Sequence, residues 1–154
     1  MTELQTVELE LLRQFLAVCE REGLTYYMVC GSALGAVKYG GFIPWDDDID
    51  IAMTLDDLER FKKVAPQELP ASLTLQTPQS EDTKEPIVKV RDLNSFFVEP
   101  GDDFSAGYEK GLYVDIFPFI DYPDVSRGFA KRYGSGISKC YSILHRPHRY
   151  SLRS

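Results

Sequence analysis

The sequence predicts an α+β (mixed α/β) domain, and three observations carry that prediction. Apolar residues recur at helical spacing near the N-terminus, short β-prone runs alternate with helix-length segments through the middle, and Gly or Pro punctuates the boundaries. At 154 residues, 44% of them apolar, the chain fits one domain with a sizeable core and does not read as disordered.

From about Thr2 to Arg21, Leu4, Val7, Leu11, Phe15 and Val18 recur at spacings of three and four, which predicts an amphipathic helix. Its opposite face carries Glu8, Arg13 and Gln14. Thr2 with Gln5 predicts a capping box, and Gly23 ends the helix. Tyr26 to Cys30 reads as a short buried strand in which Cys30 packs, and Gly31-Ser32 leads into a second helix from Ala33 to about Tyr39. Gly40-Gly41 breaks that helix, and Pro44 makes Phe42 to Trp45 a crossing loop.

An acidic strand follows, with Asp46, Asp47, Asp48 and Asp50 ahead of Ile51. Strand alternation places Asp46, Asp48 and Asp50 on one face and Asp47, Ile49 and Ile51 on the other. Thr54 caps a third helix to about Val64 with Leu55, Leu58, Phe61 and Val64 inward, and acidic Asp56, Asp57 and Glu59 near its start. Pro66 to Pro86 reads as loop around one strand, Leu73 to Gln76. Ile87 to Arg91 and Ser95 to Val98 read as strands joined by a turn at Leu93-Asn94, with Lys89 and Arg91 on one face. After a polar loop at Pro100 to Ser105, Leu112 to Phe119 is a strand in which Tyr113, Asp115 and Phe117 alternate with Leu112, Val114 and Ile116. A last helix spans about Ser126 to Leu144.

Net charge is -7, which argues against non-specific nucleic-acid binding over the whole surface. No carboxylate follows Asp124, and seven Lys or Arg residues lie beyond it. That basic stretch is a solvated helix face or a contact for phosphate or an anionic membrane. Three cysteines without a CxxC pair indicate neither a disulfide framework nor a zinc site, and the acidic N-terminus does not resemble a signal peptide. The expectation is a cytoplasmic protein, peripheral to the inner face of the membrane at most.

Same-face carboxylates along a strand lie roughly 6.5 to 7 Å apart and repel unless a cation sits between them. Oxygen-only ligation suits Mg²⁺, with Mn²⁺ as a substitute. A calcium loop is the rival, since Asp46, Asp48, Asp50 and Asp57 occupy its positions one, three, five and twelve. Ile51 stands where that loop needs Gly, and Pro44 removes the preceding helix. Asp115 supplies a third carboxylate, as metal ligand or base, if its strand lies beside the acidic one. Gly31-Ser32 at a helix start offers free N–H groups and a hydroxyl to phosphate, or simply caps the helix. Lys38, Lys89 and Arg91 are candidates for holding phosphate charge, or are solvated. His145 and His148 have no carboxylate partner nearby in sequence and read as surface residues.

GSALGAVKYGGFIPWDDDIDIAM at 31 to 53, KVRDLNSFFVE at 89 to 99 and GLYVDIFPF at 111 to 119 together resemble the LicD family, whose group includes fukutin and fukutin-related protein, within the DNA polymerase beta-like nucleotidyltransferase superfamily. The resemblance covers most of residues 5 to 123. It implies a nucleotidyltransferase-like small mixed sheet flanked by helices. It also implies that Gly31 and Ser32 lie at nucleotide phosphates, that Asp48 and Asp50 are paired metal ligands with Asp46 nearby, and that Asp115 is the third carboxylate. The implied activity is transfer of an alcohol phosphate, phosphocholine first, from CDP-choline or a related CDP-alcohol to a sugar hydroxyl of a glycan or glycolipid such as lipopolysaccharide or teichoic acid. Nucleotidyl transfer and an inactive binding domain are the alternatives. The chain departs from the family at its C-terminus, where the helical, aromatic segment ending in a Tyr-Gly-Asp-Tyr-like motif is absent. The expected organisation is a LicD-type domain over residues 1–125 and a basic, incomplete extension over 126–154.

Overall fold

The computed structural model describes residues 1–78, 87–98, 107–119 and 124–144. The polar loop expected at Pro100 to Ser105, the end of the Pro-rich stretch and both histidines lie outside them. By its internal contacts the chain divides into two compact units, Met1–Ile120 and Asp121–Ser154.

In the first unit, helix α1 spans Glu3–Glu22 and begins at the expected capping box: Gln5 N–H donates to Thr2 Oγ1 at 3.1 Å and Thr2 N–H to Gln5 Oε1 at 3.0 Å. Gly23 closes it in the left-handed conformation, φ 61°, which costs a residue without Cβ nothing. The stripe that α1 buries, however, runs through Gln5, Glu8, Leu12, Phe15 and Cys19 as well as Leu11 and Val18. Glu8, expected on the solvent face, is 1% exposed.

Strands β1 (Tyr26–Met28), β2 (Asp50–Thr54), β3 (Leu73–Gln76), β4 (Val88–Asp92) and β5 (Tyr113–Phe119) form one mixed sheet in the order β1-β2-β5-β4-β3. Only the β2 and β5 neighbours run parallel. Alternation along the strands sorts the sheet into two faces. Ile51, Met53, Val88, Val90, Val114 and Ile116 share the apolar face and pack with α1 and with helix α3 (Leu55–Glu68), whose Phe61 ring lies 5.0 Å from that of Phe15. Each such side chain taken fully out of water contributes about 1.5–3 kcal/mol. The other face carries a polar row at matching register: Asp50, Asp115, Lys89 and Gln76.

Helix α2 (Cys30–Tyr39) packs beside β2 and ends at Gly40, φ 69°. Thr54 caps α3 as expected, its Oγ1 accepting from Asp57 N–H at 3.3 Å. The α3 helix runs on through Pro66 to Glu68, although it was expected to stop near Val64. Proline removes one backbone donor in the last turn, while buried Ala65 docks that turn and Leu69 N–H donates to Ala65 O at 2.9 Å. Leu55 points outward at 46% exposure, being the first residue after the cap.

Two further expectations are corrected. The strand expected at Tyr26 to Cys30 is shorter, and it is not buried: β1 is the sheet edge, so Tyr27 and Met28 are exposed, and Cys30 already belongs to α2 and is exposed rather than packed. Ser95 to Val98 is irregular rather than strand. Its bonds to the β5 side are isolated ones, Phe97 N–H to Lys110 O at 2.7 Å and Leu112 N–H to Ser95 Oγ at 2.9 Å, because Asp92 Oδ1 takes Asn94 N–H and turns the chain.

In the second unit, helix α4 (Arg127–Leu144) begins at Ser126, whose Oγ accepts from Phe129 N–H, and carries a stacked Phe129–Tyr133 pair 4.1 Å apart. No described helix is long and apolar enough to cross a membrane.

Candidate functional site

The site lies where β1 turns into α2. Cys30 makes that turn with φ 49°, a left-handed conformation that an L residue with a side chain rarely adopts. Gly31 and Ser32 therefore fall in the first turn of α2, two residues inside its start at Cys30. Ser32 is 7% exposed, and its Oγ accepts the N–H of Asp50 at 2.9 Å. The hydroxyl thus stitches the helix start to the first residue of β2.

The acidic run is not one strand: β2 begins at Asp50, and Asp46, Asp47 and Asp48 precede it on irregular backbone. Pro44 and the turn at Asp46, whose N–H donates to Ile43 O at 3.0 Å, keep those residues out of the strand. Asp46, Asp48 and Asp50 are half-buried and Asp47 is exposed. Asp46 folds back over Gly31, where a Cβ would stand 2.7 Å from Asp46 Oδ2. Any side chain at position 31 displaces that carboxylate.

Asp50 and Asp115 are register partners on adjacent parallel strands, and Asp115 N–H donates to Ile49 O at 2.9 Å. Lys89 pairs with Asp115 across β4, its Nζ 3.3 Å from Oδ1, and lies 3.6 Å from the Tyr113 ring centroid. Burial, then the charge of Asp46, raises the Asp50 carboxyl above its usual range, against the lowering pull of a Cys30 thiol hydrogen bond and of Lys89. The Cys30 thiol is itself pushed up, first by partial burial and then by Asp50.

Beneath the acidic segment stand two α1 residues that periodicity misassigns or ignores. Gln5 Nε2 donates to Ile43 O at 3.2 Å and to Asp46 O at 3.0 Å, fixing the backbone of the turn. The Glu8 carboxyl is pushed up to about 8, chiefly by burial and further by Asp48, Asp47 and Asp46. A helical reading that continued Leu12, Phe15 and Cys19 back by turns to Glu8 and Gln5 finds both.

The other sequence candidates divide. Arg91 is 3% exposed and is spent on the fold: its guanidinium donates to Gln76 Oε1 and, at 2.8 Å, to Gly111 O, and lies over the Tyr113 ring. Lys38 lies in the last turn of α2, exposed, with Nζ 5.2 Å from the Tyr39 ring centroid. The structure thus brings together Gly31, Ser32, Asp46, Asp50, Asp115 and Lys89, with Asp48 beside them in sequence.

These residues fit a hard divalent cation in kind. All the donors are carboxylate oxygens, and two of them stand on neighbouring strands about 4.8 Å apart. Burial is the first cause of the raised Asp50 carboxyl, and the Asp46 charge that adds to it is a field a cation relieves. The set is open rather than closed, since among the described residues no group of three or more His, Cys, Asp or Glu side chains is arranged to hold a metal.

A family model for the LicD/FKTN/FKRP nucleotidyltransferase domain matches residues 23–134. The lipopolysaccharide cholinephosphotransferase LicD of Haemophilus influenzae is 33% identical over 125 residues, covering 79% of this chain and 45% of that protein. The ribitol 5-phosphate transferases FKRP of Homo sapiens and Mus musculus are each 30% identical over 116 residues, 74% of this chain and 20% of theirs. The chain spans less than half the length of these relatives.

Proposed function

The chain belongs to the LicD/FKTN/FKRP nucleotidyltransferase-domain family, and from that premise we propose that it transfers an alcohol phosphate, phosphocholine first, from a CDP-activated donor to a sugar hydroxyl of a glycan or glycolipid. The observation that carries this reading is the adjacency of Asp50 and Asp115 at the foot of the Gly31-Ser32 helix start. Carboxylates beside an anion-receptive helix start serve a reaction at a diphosphate, where positioning and charge neutralisation supply most of the rate.

In the proposed reaction the acceptor hydroxyl attacks the β-phosphorus of the donor, the bond from that phosphorus to the CMP oxygen breaks, and CMP leaves. Asp115 takes the hydroxyl proton, and Lys89 fixes that carboxylate in place. The α2 start receives the diphosphate against the unbonded N–H groups of its first turn, with Gly31 allowing close approach. Asp48, Asp50 and Asp115, with Asp46 adjoining, would hold Mg²⁺ or Mn²⁺, which would supply neutralisation of the diphosphate charge.

Thermal denaturation tests this. Mg²⁺ with CDP-choline raises the melting temperature of the parent chain, and Asp48→Asn and Asp50→Asn abolish the rise; no shift with any cytidine diphosphate ligand overturns the reading. The family's nucleotidyltransferase heritage favours one rival, nucleotidyl transfer. Product analysis separates them, because CMP accumulates in the proposed reaction and is retained on the acceptor in the rival one.

A further inference from the structure

Helices α1 and α3 turn their apolar faces into the core, where Phe15 and Phe61 are fully buried. Helix α4 treats its apolar face differently. Among its residues 127–136 none is buried, and Phe129 and Tyr133, whose rings stack on one another, are both exposed. At about 100° per residue, the sequence spacing carries that pair on through Ile137, Cys140, Tyr141 and Leu144, all within one arc of about 120°. Arg127, Lys131, Arg132 and Lys139 fall outside this arc, among Ser135, Ser138 and Ser142. The helix is also weak by composition. Gly128, Gly134 and Gly136 lower its propensity, and they serve no close approach, since a Cβ at each would meet nothing within 4 Å. A single helix of 18 residues with such a composition is marginal in water unless its apolar face is covered.

Charge identifies what covers it. Every carboxylate side chain lies at or before Asp124, and seven Lys or Arg residues follow, in a chain of net charge -7. An anionic surface therefore attracts this stretch and repels the rest of the chain. A lipid surface uses both arcs of the helix. Phe and Tyr rings enter at the headgroup level, aliphatic side chains go just below, and Arg or Lys on the flanks reach lipid phosphates along their methylene stems. A nucleic-acid strand stacked on Phe129 and Tyr133 leaves Lys131 facing away from it and Ile137 and Leu144 in water. With four basic residues in its sequence, α4 lies on a membrane rather than across it.

We propose that α4 is an interfacial helix that holds the chain on an anionic lipid bilayer, with Phe129 and Tyr133 as inserted anchors and Arg127 and Arg132, on either flank of the apolar arc, at the lipid phosphates. This surface is independent of the transferase reading, since it needs neither nucleotide nor cation.

Co-sedimentation of the full chain with vesicles, without nucleotide or Mg²⁺, tests it. On vesicles of phosphatidylcholine with about one third phosphatidylglycerol, the parent partitions about tenfold more strongly than on phosphatidylcholine alone, and salt at about 1 M removes most of that difference. Phe129→Ser with Tyr133→Ser lowers the partitioning about tenfold, and so does Arg127→Gln with Arg132→Gln, while the melting temperature of each variant in free solution stays at the parent's. Equal partitioning on both vesicles, or none on either, overturns the proposal. Partitioning that survives the loss of Phe129 and Tyr133 overturns it too, because charge alone then holds the chain. So does a parent that binds poly(U) as tightly as the anionic vesicles, which assigns the helix to nucleic acid. A lower melting temperature in the Phe129 and Tyr133 variant also overturns it, since the ring pair then packs on protein and is not open to a membrane.

Discussion

Glu8 is the residue whose environment departs furthest from what its type leads one to expect. It is 1% exposed, its Oε2 has no hydrogen-bond partner among the described residues, and three aspartates stand near it. Its folded value of about 8 lies above the ordinary 4.5, so between those values the native chain holds a proton that the unfolded chain releases. Stability therefore falls as pH rises through that window, and the contribution vanishes below about 4.5. Glu8→Gln keeps the shape without the titration. Its melting temperature should exceed the parent's above pH 8, by an amount equivalent to at most about 5 kcal/mol, and should approach the parent's near pH 4.5. Melting curves that stay parallel across the range would sink this account. Gly31→Ala acts on the same segment from above: its Cβ displaces the Asp46 carboxylate, so nucleotide affinity should drop at least severalfold with little change in unfolding free energy. Equal affinity in that variant would show that Asp46 has room to move. The sequence makes Gly31, Ser32, Asp50 and Asp115 readable, because a Gly-Ser between strand and helix and a carboxylate inside an apolar strand are local oddities. It hides Gln5 and Glu8, since polar residues on a helix read as its outer face. It also hides the roles of Lys89 and Arg91, whose burial depends on residues fifteen or more positions away.

Among the elements, the helix ends were the most readable, because their chemistry is local. The Thr2–Gln5 box, Gly23, Gly40 and the Thr54 cap all stand where residue type demands. Elsewhere tertiary contact overrides a local rule. Pro66 does not end α3 because buried Ala65 docks the last turn, and Ser95 to Val98 has β-prone residues but does not join β4, which is already flanked by β3 and β5. Helix α2 starts three residues before the Ala33 that the sequence predicts, because Cys30 takes a conformation that its type disfavours. The close approach of α2 to its following turn gives a prediction of its own. Gly35→Ala puts a methyl group against Gly41 O and Ile43 N, both backbone atoms with no rotamer to yield, so the chain should lose about 1–3 kcal/mol of stability. Chemical denaturation measures this as a lower midpoint at unchanged slope. An unchanged midpoint would mean that α2 is free to shift away from the turn.

For the molecule as a whole, the sequence supplied the strands but not their order. Nothing local to β2 or β5 says that segments more than sixty residues apart lie side by side in parallel, with β4 on the far side. That order is what makes the site, since it lines up Asp50, Asp115, Lys89 and Gln76 across four strands. It also splits the site mechanically. Asp50 and Asp115 stand on the two central strands, whose Ile51, Met53, Val114 and Ile116 are fully buried, while Asp46 to Asp48 hang on irregular backbone tied to α1 by Gln5. Amide hydrogen exchange should therefore find Ile51 to Met53 and Val114 to Ile116 opening only with global unfolding, and edge strand β1 opening earlier. Gln5→Ala removes both ties to the turn and one half of the α1 capping box, at a cost of roughly 1–2 kcal/mol overall. Its distinctive effect is local. Exchange at residues 43 to 48 should rise by more than the global loss explains, while the central strands follow global stability alone. If the acidic segment and the central strands instead accelerate by the same factor, the segment is held by the sheet rather than by α1, and the aspartates form one rigid unit with β2.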